Sequence, residues 1–117
     1  MSYYYKMSKY LQIITTVPAK ENAEEITDEL INKRLASCVQ ITSSIESRYW
    51  WKGKIEKTEE WQCIIKTKKG LYKSVEREIL RIHPYEVPEI IVIPLIYGYK
   101  KYLEWIDNET VTNGKVI

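Results

Sequence analysis

The hydrophobic positions of the chain change period several times, and each change predicts an element. Tyr10 to Val17 (YLQIITTV) is β-branched and apolar and is stopped by Pro18, which predicts a first strand. From Ala19 to Leu35, apolar Ala23, Ile26, Leu30, Ile31 and Leu35 recur at helical spacing. Glu21, Glu24 and Glu25 come early and Lys33 and Arg34 late, as a helix dipole prefers. Ser37 to Trp51 and Lys54 to Lys68 read as two long strands reversed at Lys52-Gly53. Gly70 to Ile82 carries a stripe of Leu71, Val75, Ile79 and Ile82 and is ended by Pro84, a second helix. Pro88 to Tyr97 is a fourth strand, and after Gly98 the positions Tyr99, Tyr102, Leu103 and Ile106 fit a short third helix. Residues 1–9 lack a periodic pattern and are expected to be a flexible N-terminal extension, within which Met7 is a candidate native start. Residues 110–117 are expected to be a frayed tail, leaving a single domain over 10–109.

A faint repeat organises these elements. Leu11 to Thr16, a helix and Cys38 to Ile41 are echoed by Trp61 to Thr67, a helix and Ile90 to Ile93. Two strand-helix-strand units joined by a hairpin give an α+β, ferredoxin-like βαββαβ plan: an antiparallel sheet, both helices on one face, and the extra C-terminal helix. The fourth strand then lies at an edge, apolar on both faces, and invites another chain. At about 3.3 Å per residue the hairpin spans ~50 Å, so it must protrude from a domain with a radius of gyration near ~13 Å. Its tip carries Tyr49, Trp50, Trp51 and Ile55 on both faces, a patch that packing against another subunit would cover. With Lys52-Gly53 as a two-residue turn, Cys63 faces Thr42 and not Cys38, which argues against a disulfide and for buried free thiols.

Composition narrows the partners. Hydrophobic residues at 44% and charged residues at 29% describe a globular chain, and 18 basic and 16 acidic residues give a net charge of +2 without a basic face. Neither nucleic acid nor membrane is expected as a partner, and the absence of an apolar signal core points to the cytoplasm. The chemistry concentrates in Arg81 to Leu95, where the only histidine, His83, precedes Pro84 and is followed by Tyr85, Glu86 and Glu89 in a turn able to converge side chains. His83 reads either as a helix cap or as a metal ligand. One histidine with two distant cysteines makes no complete metal site within one subunit, but a boundary site is open, and copper(II) has the highest intrinsic affinity for it. No nucleophile sits beside a base and no glycine-rich loop cradles phosphate, so no enzyme and no required cofactor are expected. Glu60 and Lys66 share a strand face by parity, either as a pair lining a cleft or as surface charges.

The segments Arg34-Leu35-Ala36-Ser37-Cys38-Val39, Tyr49-Trp50-Trp51-Lys52-Gly53-Lys54-Ile55-Glu56, Ile64-Ile65-Lys66-Thr67, His83-Pro84-Tyr85-Glu86-Val87-Pro88-Glu89-Ile90 and Tyr102-Leu103-Glu104-Trp105 resemble the CutA family of divalent-cation tolerance proteins. That resemblance implies a ferredoxin-like subunit, a homotrimer with interlocked hairpins, a cytoplasmic setting and tolerance of copper and other divalent cations. It also implies that Trp51, Glu60, Lys66, His83, Tyr85 and Glu89 line a cleft between subunits. Some members place a histidine and a cysteine, both suited to copper, where Ile82 and Thr15 stand here, leaving His83 as the one carried-over ligand. The expected role is therefore a trimer that binds a divalent cation or a small anionic ligand at its clefts. The alternative is a signalling or scaffold trimer, similar in plan to nitrogen-regulatory trimers, that binds a metabolite and a protein partner.

Overall fold

A computed structural model of the chain describes residues 8–112. The element order is β1 (Tyr10–Val17), α1 (Lys20–Asn32), β2 (Cys38–Trp51), β3 (Lys54–Lys68), α2 (Tyr72–Ile82), β4 (Ile90–Leu95) and α3 (Lys100–Glu109), with a single 3-10 turn, Lys69–Leu71, leading into α2. The four strands form one antiparallel sheet in the order β2-β3-β1-β4, the ferredoxin-like arrangement, with β4 at an edge as expected. Both α1 and α2 cover one face. Their buried stripes, Ala23, Ile26 and Leu30 on α1 and Val75 and Ile79 on α2, meet Ile13, Val17, Cys63 and Ile65 of the sheet in one core. Among the described residues no helix is long and apolar enough to cross a membrane.

The hairpin turns at Lys52 and Gly53, both at positive φ (51° and 81°), the conformation that matches strand twist in a two-residue loop. From Trp51↔Lys54 to Ile45↔Glu60 the pairing follows that turn, and then a bulge sets Ser43 and Ser44 against Trp61. Beyond it the register moves by one residue, so Cys63 faces Ile41 and not Thr42. Both cysteines are free. The bulge also switches parity. On the side away from the tip the even positions of β2 share the open face with the even positions of β3; on the tip side the odd positions do, and there the register of the turn places Tyr49 and Trp51 on the face that carries Glu60.

Other boundaries shift for local reasons. The first helix stops at Asn32, and Arg34 takes the left-handed conformation (φ 55°), letting its N–H reach Ile31 O and the Leu35 N–H reach Leu30 O. This is the hydrogen-bond pattern with which many helices close, so Lys33 and Arg34 lie past the last turn. The fourth strand is shorter than Pro88 to Tyr97 because β1 offers it partners only from Tyr10 to Thr15. Of the stripe expected on α3, Ile106 is buried, while Tyr99 and Tyr102 are exposed. That helix lies over one end of the open face, where Asp107 accepts a hydrogen bond from the Tyr10 hydroxyl at 2.6 Å and pairs with Lys68 at 3.6 Å.

Positions 110 and 111, expected to belong to a frayed tail, pack against the domain. Thr110 and Val111 are 3% and 0% exposed, and the Val111 N–H donates to Arg34 O at 2.9 Å. At the other end Ser8 is buried with its hydroxyl donating to Leu95 O, and Lys9 O accepts from the Lys69 N–H at 2.7 Å, so the ordered domain includes 8 and 9. The remainder of the expected extension, including Met7, and residues 113–117 lie outside the described residues. Val111→Ala should therefore cost on the order of 1–3 kcal/mol in urea unfolding of the native protein, whereas Thr112→Ala, at an exposed position, should stay within about 0.5 kcal/mol. Equal unfolding midpoints for the two variants would show that Val111 does not belong to the core.

Candidate functional site

The site forms where the turn after α2 folds against the hairpin. Pro84 cannot continue a helix and drives the preceding residue out of helical conformation, and His83 is accordingly extended (φ −62°, ψ 131°) while its N–H caps Ile79 O at 2.8 Å. The residue is 8% exposed. The Nε2–H donates to Thr16 O at 2.7 Å, and Nδ1 accepts the Tyr85 backbone N–H at 3.2 Å. That carbonyl is available because β4 pairs with β1 only as far as Thr15. Both partners together select the neutral Nε2–H tautomer. Burial lowers the ring's affinity for a proton below the ordinary histidine value, with the Thr16 carbonyl and Glu60 acting in the opposite sense.

The ring of Tyr85 lies 4.9 Å from that of His83, and its hydroxyl donates to Glu60 Oε2 at 2.7 Å. Burial, followed by the bond to Glu60, holds this phenol far above its usual range. Glu60 is only 4% exposed. Glu89 stands near enough that burial and the Glu60 charge together raise its carboxyl above 4.5. Between turn and hairpin opens a cleft of about 800 Å³. Its walls carry the aromatic rings of Tyr49, Trp50, Trp51 and Tyr85 and the carboxylates of Glu56, Glu60, Glu86 and Glu89. The Arg48 guanidinium on its rim is already bonded to Glu46. Across the mouth Lys52 Nζ lies 4.0 Å from Glu86 and 5.5 Å above the Trp51 ring.

Trp51, Glu60, Tyr85, Glu86 and Glu89 thus meet in one cleft within the subunit, where the resemblance implied a cleft between subunits. Lys66 does not join them: six residues along β3 from Glu60 it is about 20 Å away, and its Nζ donates to Gln40 at 2.8 Å. Tyr49 and Trp50, expected as subunit packing, line the cleft, while Ile55 lies outside it, paired with Trp50 and 66% exposed. Glu56, Ser47, Arg48, Thr16, Pro84 and Val87 escaped the sequence reading. Strand parity could have found Glu56, four residues from Glu60; nothing in the sequence marks a Thr16 carbonyl.

His83 has partners at both ring nitrogens. Each ring nitrogen is already bonded within the subunit, so no lone pair is free unless the turn opens. The Cys63 thiol lies in the core, pushed up by burial to about 11, and Cys38 is on the open face. Thr15 and Ile82 turn toward the core. Among the described residues no three His, Cys, Asp or Glu side chains converge as a metal would require. A copper centre of nitrogen and sulfur donors does not fit this subunit; the cleft offers carboxylate oxygens.

Comparison with known proteins agrees with this fold. Residues 11–109 match the model of the family described as CutA1 divalent ion tolerance protein. The chain is 43% identical over 99 residues to the divalent-cation tolerance protein CutA of Archaeoglobus fulgidus, covering 85% of this chain and 95% of that one. It is 41% identical over 98 residues to the chloroplastic CutA 1 of Oryza sativa, covering 84% of this chain but 55% of the rice protein, so it spans about half the length of that relative. The crystal structure of CutA1 from Shewanella sp. SIB1 superposes with a TM-score of 0.87 at 37% identity, covering 90% of this chain and 98% of that one. A match across nearly the whole domain, in sequence and in fold, establishes that the chain belongs to the CutA1 divalent ion tolerance protein family.

Proposed function

We propose that the chain assembles as a homotrimer and supports divalent-cation tolerance, without catalysis, by holding a cation in a cleft at the subunit boundary. The observation that carries this reading is the state of Glu60. Its buried carboxylate faces Glu89, accepts a hydrogen bond from a neutral phenol, and has no basic side chain within ion-pair distance among the described residues. An uncompensated buried charge is costly, and a cation between the two carboxylates offsets that cost. Four carboxylates around an already paired Arg48 disfavour a small anionic ligand. Two oxygen donors suit a hard divalent cation, with the remaining ligands coming from solvent or a neighbouring copy. Lys66 reaches such a cleft only from another subunit.

Self-association is supported by apolar surface that one chain leaves in water. Trp50 and Ile55, cross-strand neighbours at the hairpin tip, are 72% and 66% exposed, and the edge strand β4 presents Ile91 and Ile93. Three copies is the number the family likeness implies. The reading is non-catalytic because the one histidine has no free lone pair to act as a base, and the two free thiols suit the reducing cytoplasm.

Light scattering should give a mass three times the 14.0 kDa chain mass; a monomer mass would sink the assembly reading. Calorimetric titration of the metal-free protein with manganese(II) and copper(II) should show saturable binding that Glu60→Gln and Glu89→Gln each weaken by at least about tenfold. Equal binding by wild type and both variants would remove the cation from this cleft. Glu89 also sets a pH signature. Its folded carboxyl titrates above 4.5, so the stability it contributes is present below 4.5 and is lost as pH rises through the folded value. Glu89→Gln should therefore unfold at higher urea than wild type at pH 7, with the difference vanishing below pH 4.5; a variant less stable at pH 7 would contradict the repulsion.

A further inference from the structure

The cleft has two anionic poles rather than one. Glu60 with Glu89 forms the inner pole beside Tyr85. Glu56 lies on the same face of β3, four residues nearer the tip and about 13 Å away along the strand. Glu86 stands at that outer end too, since it pairs with Lys52 of the turn. The wall beside the outer pole is aromatic: Tyr49 is the cross-strand partner of Glu56, Trp51 follows on the same face two residues nearer the tip, and Tyr85 of the turn closes the other side as far as the inner pole. A volume of about 800 Å³ is that of a site for an organic molecule, far beyond the needs of a single ion.

The chain supplies its own example of what fits. The Lys52 ammonium sits 5.5 Å over the Trp51 ring and 4.0 Å from the Glu86 carboxylate, an alkylammonium held by a π-face and a carboxylate together. This seat is open, for both Lys52 and Glu86 are 72% exposed, so an incoming amine can take it. The inner pole has no such internal cation. Its buried carboxylate is bonded to the Tyr85 phenol alone among the described groups.

We infer that the cleft binds a linear aliphatic polyamine, one terminal ammonium between Glu60 and Glu89, the methylene chain along Tyr49, Trp51 and Tyr85, and the other terminus displacing Lys52 from Glu86. The inference rests on the reading of this cleft as a cation site and names an organic class of cation for it. A monoamine fills the inner pole alone and leaves Glu86 to Lys52. Spermidine, with terminal nitrogens about 11 Å apart when extended, comes close to the ~13 Å along the strand that separates Glu60 from Glu56 at the outer pole.

The test is calorimetric titration of the native assembly with spermidine at low ionic strength, with n-butylamine as the single-charge probe. Spermidine should saturate one site per subunit and bind at least about a hundredfold tighter than butylamine. Glu60→Gln should weaken spermidine binding at least about tenfold. Trp51→Leu, which changes no charge, should weaken it several-fold, and Lys52→Asn, compatible with the positive φ of the turn, should tighten it by removing the competing ammonium. No saturable spermidine binding, equal affinity for both amines, or indifference to both Glu60→Gln and Trp51→Leu would overturn the assignment. Manganese(II) binding that depends on Glu60, without spermidine binding, overturns the polyamine and leaves the cation site standing; spermidine binding without any divalent-cation binding does the reverse.

Discussion

A single buried hydrogen bond, from His83 Nε2–H to the carbonyl of Thr16 at 2.7 Å, holds the candidate site together. It exists because β1 outruns its edge partner: β4 stops pairing at Thr15, and the next carbonyl would otherwise be buried without a donor. Two prolines confine the residues that follow to a short turn, and Nδ1 takes up the Tyr85 N–H, which directs the phenol onto Glu60. Protonation would make Nδ1 a donor and break that second bond. Within the subunit this imidazole thus ties the turn to β1.

The opposite wall depends on a different constraint. The bulge at Ser43 and Ser44 exchanges the faces of β2 without disturbing the turn at Lys52-Gly53. The turn puts Tyr49 and Trp51 on the face of Glu60, and the extra residue beyond Glu60 decides which positions of the inner half of β2 share that face. Chemistry at the tip is thus set by the turn itself, and the bulge sets how the tip joins the rest of the sheet. The resulting cleft combines buried negative charge with aromatic surface, a combination that rejects anions and rewards cations.

Most of the fold was legible in the sequence because hydrophobic period is a local signal. The strands from Tyr10 and Lys54, the stripe of Val75 and Ile79, and the ferredoxin-like order followed from it. The positions that shifted depend on groups distant in the chain: Val111 is fixed by the carbonyl of Arg34, and Cys63 by a bulge that no residue type announces. Within the site, turn chemistry and the family likeness found Tyr85, Glu86 and Glu89, while parity found Glu60. Parity and the family likeness both grouped Lys66 with Glu60; within one subunit the two lie far apart on β3, because parity reports a shared face and says nothing about distance along it. The role of His83 was hidden because it is set by a backbone carbonyl, which is identical at every position of the sequence.

The most direct test of this account is nitrogen-15 NMR of the His83 ring at pH 7, before and after enough zinc(II) to saturate the cleft. The account predicts a neutral ring protonated on Nε2, with both nitrogen shifts unchanged by zinc while carboxyl carbon-13 signals of Glu60 and Glu89 move. A metal-bound shift at either ring nitrogen, with the carboxyl signals still, would contradict it.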